Sequence, residues 1–474
     1  MTARQLKLGA VLIGVGTAPD AWRDPDVPGD ASIDIDWYRA KARLAEDAKF
    51  DFVFIVDSPY ITPDSAPHFL NRLEPLTLLS ALAGGTSRIG LVGTLTTSYS
   101  EPFNVARQFG SLDLISHGRA GWNVVTTGLE GAAGNYGRER HYDHGERYRR
   151  AAEHLGVVRG LWDSYEDDAF PRDKAAGRFL DPSRQHALGH RGEFYSVAGP
   201  LNISRSAQGQ PVIFQAGSSD AGRDLAARTA DAIFSMPESF DEAVAFRADI
   251  RRRAEAAGRD PDSILVFPGL QPILRATDAE AEAEWRRRAE SVDLHAALVQ
   301  LGRPFGYHDF TRYDPDAPFP DLGDAGSNAY RSHSERIRLV ARAEGLTLRE
   351  TALRLATPRS DFIGSASTVA DQVERWFRGG AADGFNVGVG RARDLDEFAA
   401  QVVPLLQARG LFRHEYEDTT LRGNLGLAVP VNRHTAARRA EAERQSAGQG
   451  ASAGVAGADR TEAGAVGSAR EVSA

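Results

Sequence analysis

Short apolar runs ending in small polar residues alternate with helical patterns along most of this chain. The clearest runs are Arg119-Ala-Gly-Trp-Asn-Val-Val-Thr-Thr127 and Gln215-Ala-Gly-Ser-Ser219. Apolar on both faces and polar only at the far end, each reads as a buried parallel strand opening into a site. Eight such runs occur, at residues 6–16, 51–57, 89–96, 120–126, 211–216, 232–236, 264–268 and 384–389. Helical patterns stand between them, at about 36–49, 73–83, 102–115 and 145–162, and another follows the last run at about 395–408. Eight strands with crossover helices predict a closed parallel (β/α)8 barrel, with an open doubly wound sheet as the alternative. Side chains at the C-terminal ends of barrel strands carry the chemistry of such folds.

The 474 residues exceed the usual single-domain size, but one barrel with insertions accounts for residues 1–436. Two stretches break the rhythm. Residues 163–210 are rich in Asp, Arg, Gly and Pro, with a small hairpin expected near 193–197. Residues 277–361 form the largest insertion, between the seventh and eighth strands, where a cover over the barrel mouth is expected. From Ala437 the chain is Ala, Gly, Ser, Glu and Arg with almost no large apolar residue, which predicts a disordered tail.

Composition excludes several classes. There is no Cys, so disulfides, thiolate zinc sites and cysteine nucleophiles are ruled out. The net charge of −9 gives no support for nucleic-acid binding. No run is long enough to span a membrane, and the N-terminus lacks a cleavage-site pattern, so a cytoplasmic protein is expected. Gly14-Val-Gly16 begins like a dinucleotide-binding loop. Pro19 occupies the third glycine's position and no helix follows, so the Rossmann fingerprint is absent. No clustered His/Asp set appears at strand ends, so no metal site is expected and a metallohydrolase barrel is disfavoured.

Candidate site residues follow from position. Ser218 and Ser219 precede the helical pattern Asp220-Ala-Gly-Arg-Asp-Leu-Ala, where N–H groups and the helix dipole attract a phosphate. That points to a phosphate-bearing cofactor. Asp57 ends the second strand; loop capping and ligand contact are both open to it. Thr94, Thr96, Thr97 and Ser98 end the third strand, and one or two of these hydroxyls should face the pocket. His144 and Tyr148 lie four residues apart near a helix start and share one face, so they can reach a common ligand. His141 and His144 have no obvious third metal ligand.

Together with Ala21-Trp-Arg23, Phe54-Ile-Val-Asp57, Glu101-Pro-Phe-Asn-Val-Ala-Arg107, Ser111 to Thr127, Asp371-Gln-Val and Ala382-Asp-Gly-Phe-Asn386, these motifs carry a resemblance. From about residue 6 to 412 the chain resembles the bacterial-luciferase-like flavin monooxygenases, in the branch of nitrilotriacetate and dibenzothiophene-sulfone monooxygenases. The resemblance implies a two-component oxygenase on a (β/α)8 barrel. A separate NAD(P)H:flavin reductase supplies FMNH2, which with O2 forms a C4a-(hydro)peroxyflavin that oxygenates a small organic substrate. It also implies a homo-oligomer, dimer or tetramer.

Carried over by motif, the FMN contacts are Asp57, Thr94, His144, Tyr148, Ser218 and Ser219, with Asn123 a further candidate beside the isoalloxazine. The candidate acid–base residues are His144 and His308, the latter in the insertion and open also to a surface role. The family often has Trp-Arg-His-Pro where this chain has Trp22-Arg23-Asp24-Pro25, so the substrate of better-known members does not carry over. Carbon–nitrogen cleavage, carbon–sulfur cleavage, alkane hydroxylation and Baeyer–Villiger insertion all stay open. A deazaflavin-dependent oxidoreductase and a non-catalytic flavin-binding protein are the alternatives.

Overall fold

The computed structural model describes residues 4–18, 20–388 and 390–458, the last thirteen of these by backbone only. Eight parallel strands close into a barrel: β1 (Lys7–Val11), β2 (Phe52–Ile55), β3 (Gly90–Thr96), β4 (Ala120–Val125), β5 (Val212–Gln215), β6 (Ala232–Ser235), β7 (Leu265–Leu270) and β8 (Gly384–Val387). Neighbours follow chain order, and β8 pairs with β1 to shut the sheet. Each strand coincides with one of the eight apolar runs.

Seven helices cross between the strands and an eighth follows the last: α1 (Ile35–Asp47), α2 (Pro75–Ala83), α3 (Pro102–Ile115), α4 (His144–Trp162), α5 (Asp220–Thr229), α6 (Phe240–Ala256), α7 (Ala366–Arg378) and α8 (Ala392–Gln401). The continuous helix expected over 395–408 is instead two, α8 and Val403–Ala408. Pro404, in the first turn of the second, cannot continue the hydrogen-bond ladder of the first.

Alternation along the strands sorts two cores. Outward residues such as Val53, Ile55, Leu91 and Trp122 pack under the helices. Inward residues Val11, Phe52, Phe54, Val92, Phe214 and Phe267 fill the barrel. The Phe52 ring lies 4.9 Å from Phe214 and 5.2 Å from Phe267, both edge-on. Leu421 and Leu425, on and just after a short helix near the C-terminus, close this core. Arg119, just ahead of β4, is buried because its guanidinium donates to carbonyls of Ala83, Thr86, Ile89 and Ser116. It ties the end of α2 to the barrel and takes no part in the site.

Between Leu270 and α7 stand four further helices, Asp278–Glu290, Leu294–Gly302, Arg331–Glu344 and Leu348–Ala356. They carry their own apolar cluster around Leu301, Phe305, Phe310 and Leu348. The excursion after α4 holds the small antiparallel pair His190–Arg191 and Ser196–Val197.

The C-terminal segment departs from expectation. Residues 433–458 are helical (Arg433–Ala458) rather than disordered, and residues 459–474 lie outside the described residues. Ala, Arg, Glu and Gln are strong helix formers, so a lack of large apolar residues argues against a packed core and not against a helix. The start of this helix is anchored: the Asn432 amide donates to the carbonyls of Asp163 and Tyr165, and Arg438 pairs with Glu166.

Candidate active site

The sequence-derived candidates gather at the C-terminal ends of the barrel strands, with one exception. Asp57 follows β2, Thr94 lies in β3, Asn123 in β4, Ser218 and Ser219 follow β5, and His144 and Tyr148 open α4.

At one side of the mouth, Ser219 is the N-cap of α5, its Oγ accepting from the Gly222 N–H at 3.2 Å. The same hydroxyl donates to the Tyr148 hydroxyl at 3.4 Å. Gly217 and Gly222 press together beneath that phenol. A Cβ on Gly217 would stand 2.9 Å from the Gly222 Cα and 3.2 Å from the Tyr148 oxygen. Only glycine permits this approach, which leaves a concave surface edged by hydroxyls at the positive end of a helix. Ser218, exposed, reaches the Ser332 hydroxyl of the insertion at 2.6 Å. This cradle fits a phosphate.

Deeper in the mouth, the Asn123 Nδ2 donates to the Thr94 Oγ1 at 2.9 Å, fixing the amide's orientation. Asn123 is 4% exposed, and its Oδ1 has no partner among the described residues. A buried amide oxygen without a donor is costly, so this one is free to accept from a ligand N–H. The combination of cradle and free acceptor fits a flavin bearing a phosphate.

His144 and Tyr148 face each other with ring centroids 4.9 Å apart. Burial, assisted by the charges of Arg147 and Arg331, holds the His144 imidazole below its ordinary range and so neutral near pH 7. Asp57 accepts from Arg72 Nη2 at 2.7 Å. Burial raises its carboxyl, and Arg72 opposes that shift.

Several functional neighbours escaped the sequence reading. Thr127, just past β4, is a β-branched residue at φ 48°, a costly left-handed conformation. It is held by Arg147, which donates to its carbonyl at 2.8 Å, and by the Thr96 hydroxyl 2.5 Å from its own. Arg147 Nη1 also lies 2.6 Å from His141 Nε2. The same Nε2 lies 3.0 Å from the Thr127 carbonyl, and Nδ1 faces the Tyr99 hydroxyl, so ring and guanidinium converge on that carbonyl. Arg147 stands one turn after His144, and helical spacing was the signal that could have found it. Nothing local marks Tyr307, whose hydroxyl meets Ser65 at 3.0 Å, or Tyr330, whose ring packs on Gly128. Both bring the insertion against the mouth loops, as does Asn328, whose carbonyl accepts from Arg147 at 3.0 Å.

The exception is His308. Its Nε2 meets the Tyr313 hydroxyl at 3.0 Å and its ring packs on Phe310, both within the insertion. The insertion's aromatic cluster takes up its side chain, and none of its side-chain hydrogen bonds among the described residues reaches the barrel. Its neighbour Tyr307 makes the contact toward the barrel. Among the described residues no group of three or more His, Asp or Glu side chains is placed to hold a metal ion, and no helix is long and apolar enough to cross a membrane.

Residues 15–383 match the family model described as luciferase-like monooxygenase. The chain belongs to that family. It is a flavin-dependent monooxygenase, and the barrel is that family's fold. The chain is similar to N-acetyl-S-(2-succino)cysteine monooxygenase of Bacillus subtilis (strain 168), with 45% identity over 91% of this chain and 98% of the relative. It is 41% identical to nitrilotriacetate monooxygenase component A of Aminobacter aminovorans, over 90% and 98% of the two chains. Among solved structures, a riboflavin lyase with modified FMN and riboflavin superposes with a TM-score of 0.79. That likeness covers 90% of this chain and 97% of the lyase at 31% identity.

Proposed function

We propose that this monooxygenase is the oxygenase of a two-component system. It takes FMNH2 made by a separate NAD(P)H:flavin reductase and oxygenates a small organic molecule with O2. The observation that carries this reading is the pairing, across one barrel mouth, of a phosphate-shaped cradle with a buried, unpartnered amide oxygen. The absence of a Rossmann fingerprint agrees, because such an oxygenase needs no nicotinamide site of its own. So does the similarity to a protein named component A, and to a lyase crystallised with modified FMN.

Bound reduced FMN supplies the activation of O2. The protein's own part is positional. Ser218, Ser219 and the α5 N–H groups hold the phosphate, and Tyr148 closes the cradle from α4. Asn123, locked by Thr94, offers its Oδ1 to a ring N–H. Neutral His144 presents a hydrogen-bonding group at the start of α4 without adding charge. Arg147 sets the strained loop at Thr127 that borders the pocket. The insertion, seated through Tyr307, Tyr330 and Ser332, keeps bulk water from the reacting centre.

The test supplies the chain with FMN, NADH and an unrelated flavin reductase under ¹⁸O2, against a panel of amines, thioethers, alkanes and ketones. One product should carry a single ¹⁸O atom, and only when reductase is present. Robust NADPH oxidation by the chain and FMN alone would overturn the two-component reading.

A further inference from the structure

A cluster of unmatched hydrogen-bond donors lies where the insertion meets the loop after β2. Arg72 Nη2 serves both Asp57 and the Ser58 carbonyl, yet Nη1 of the same guanidinium is buried without a partner. Arg303, from the insertion, stacks its guanidinium 4.1 Å from the Phe69 centroid and 5.7 Å from that of Tyr330. Its Nε is buried with no hydrogen bond, and among the described residues no carboxylate pairs with it. His68, 2% exposed, stands beside them. The Val15 N–H donates to Ser32 Oγ, and that hydroxyl lies 3.1 Å from His68 Nδ1. In the tautomer that leaves no hydroxyl proton unused, Ser32 donates to Nδ1 and Nε2 is the protonated nitrogen, again buried and unpartnered.

The arrangement is compact. Arg72 lies 5.0 Å from the Phe69 centroid, so the two guanidinium carbons are at most 9.1 Å apart. A carboxylate bonds a guanidinium at about 2.8 Å, so a single one spans a separation of that order. Asp57 is already engaged by Arg72, so the cluster carries an uncompensated positive charge. Leaving three donors unmatched in a buried site is unfavourable unless an anion completes them. The flavin phosphate has its own cradle at Ser218 and Ser219.

We propose that Arg303, with Arg72 Nη1 and His68 Nε2, receives a carboxylate of the substrate, so that the molecule oxygenated is an organic acid. This rests on the reading of the mouth as an FMN oxygenase site. It adds a specificity device in which the insertion supplies one cationic residue and the barrel the other.

The experiment titrates the purified chain, with and without FMN, with succinate and with uncharged succinamide, followed by calorimetry and by the flavin spectrum. Succinate should bind saturably at millimolar concentration and succinamide should not. Arg303→Gln should weaken succinate at least tenfold, Arg303→Lys should restore part of the loss, and FMN affinity should stay within twofold in both. Equal binding of succinamide, no saturable succinate binding, or an Arg303→Gln chain that binds succinate like the wild type would overturn the proposal. If Arg303→Gln loses FMN instead, the cluster serves the cofactor and the proposal falls while the flavin reading stands. Failure of the wild type to bind FMN would sink the flavin reading without affecting the succinate titration of the FMN-free chain.

Discussion

The interior and the mouth of this barrel are built from the same eight strands and solve opposite problems. Inside, Phe52, Phe54, Phe214 and Phe267 interlock with Val11 and Val92, and Leu421 closes the stack. Around the mouth, Asn123 Oδ1 on β4 and Arg72 Nη1 and His68 Nε2 from the segment after β2 are buried without a partner among the described residues. The aromatic stack of the interior is filled by the protein's own side chains, although the Asn386 amide beside it is also unpartnered among the described residues. The mouth groups are the ones we propose that ligands complete. Packing and the candidate site then fall in different layers of one strand: Val92 belongs to the packed core and Thr94, two residues on, holds the Asn123 amide.

The largest effect should come from the interior. Phe214→Ala removes a ring that touches Phe52, Phe54 and Phe267. The loss should be about 3–5 kcal/mol, read as a drop in the urea midpoint with or without FMN. A midpoint unchanged from the wild type would mean that this layer is not the packed core described.

The mouth should respond the other way. Ser218→Ala with Ser219→Ala removes two hydroxyls from the phosphate cradle, each contributing roughly 1.5–3 kcal/mol to a charged ligand. FMN affinity should fall at least tenfold. The FMN-free midpoint should shift only by the loss of one N-cap, about 1 kcal/mol. If instead the midpoint collapses and FMN affinity holds, the two layers have been assigned the wrong roles.

A further effect is read through pH. Burial lowers the His154 pKa to about 4 and, with Arg72 and Arg303 adding repulsion, the His68 pKa to about 3. Both are neutral in the fold, while in the unfolded chain they titrate near 6.5. The unfolded state therefore binds more protons below that pH, so stability should decline as pH falls from about 6.5 toward 4 and then 3. His154→Phe should flatten the upper part of that decline. A urea midpoint equal at pH 7 and pH 5 would contradict this.

The sequence disclosed the barrel strands and the helix starts that border the mouth. Eight apolar runs predicted eight strands because a buried parallel strand leaves a local signature. Ser219 was legible because an N-cap is set by its own helix, and His144 with Tyr148 because four residues make one helical face. Arg72, Tyr307 and Tyr330 were not legible: their partners lie 15, 242 and 202 residues away, joined by loops without periodicity. His308 was left open between the mouth and the insertion's surface for the same reason. A loop residue has no face until the loop is folded, and here the aromatic cluster of the insertion claims it. The C-terminal helix shows the converse, because composition there reported on packing and was silent on helicity.

The central claim is that the mouth is completed by a flavin held through its phosphate. It is tested most directly by comparing the equilibrium affinities of the wild-type chain for FMN and for riboflavin, which differ only in that phosphate. The cradle of Ser218, Ser219, Tyr148 and the α5 N–H groups predicts that FMN binds at least tenfold tighter, since one charged hydrogen bond alone is worth roughly 1.5–3 kcal/mol. Equal affinity for the two flavins would contradict it.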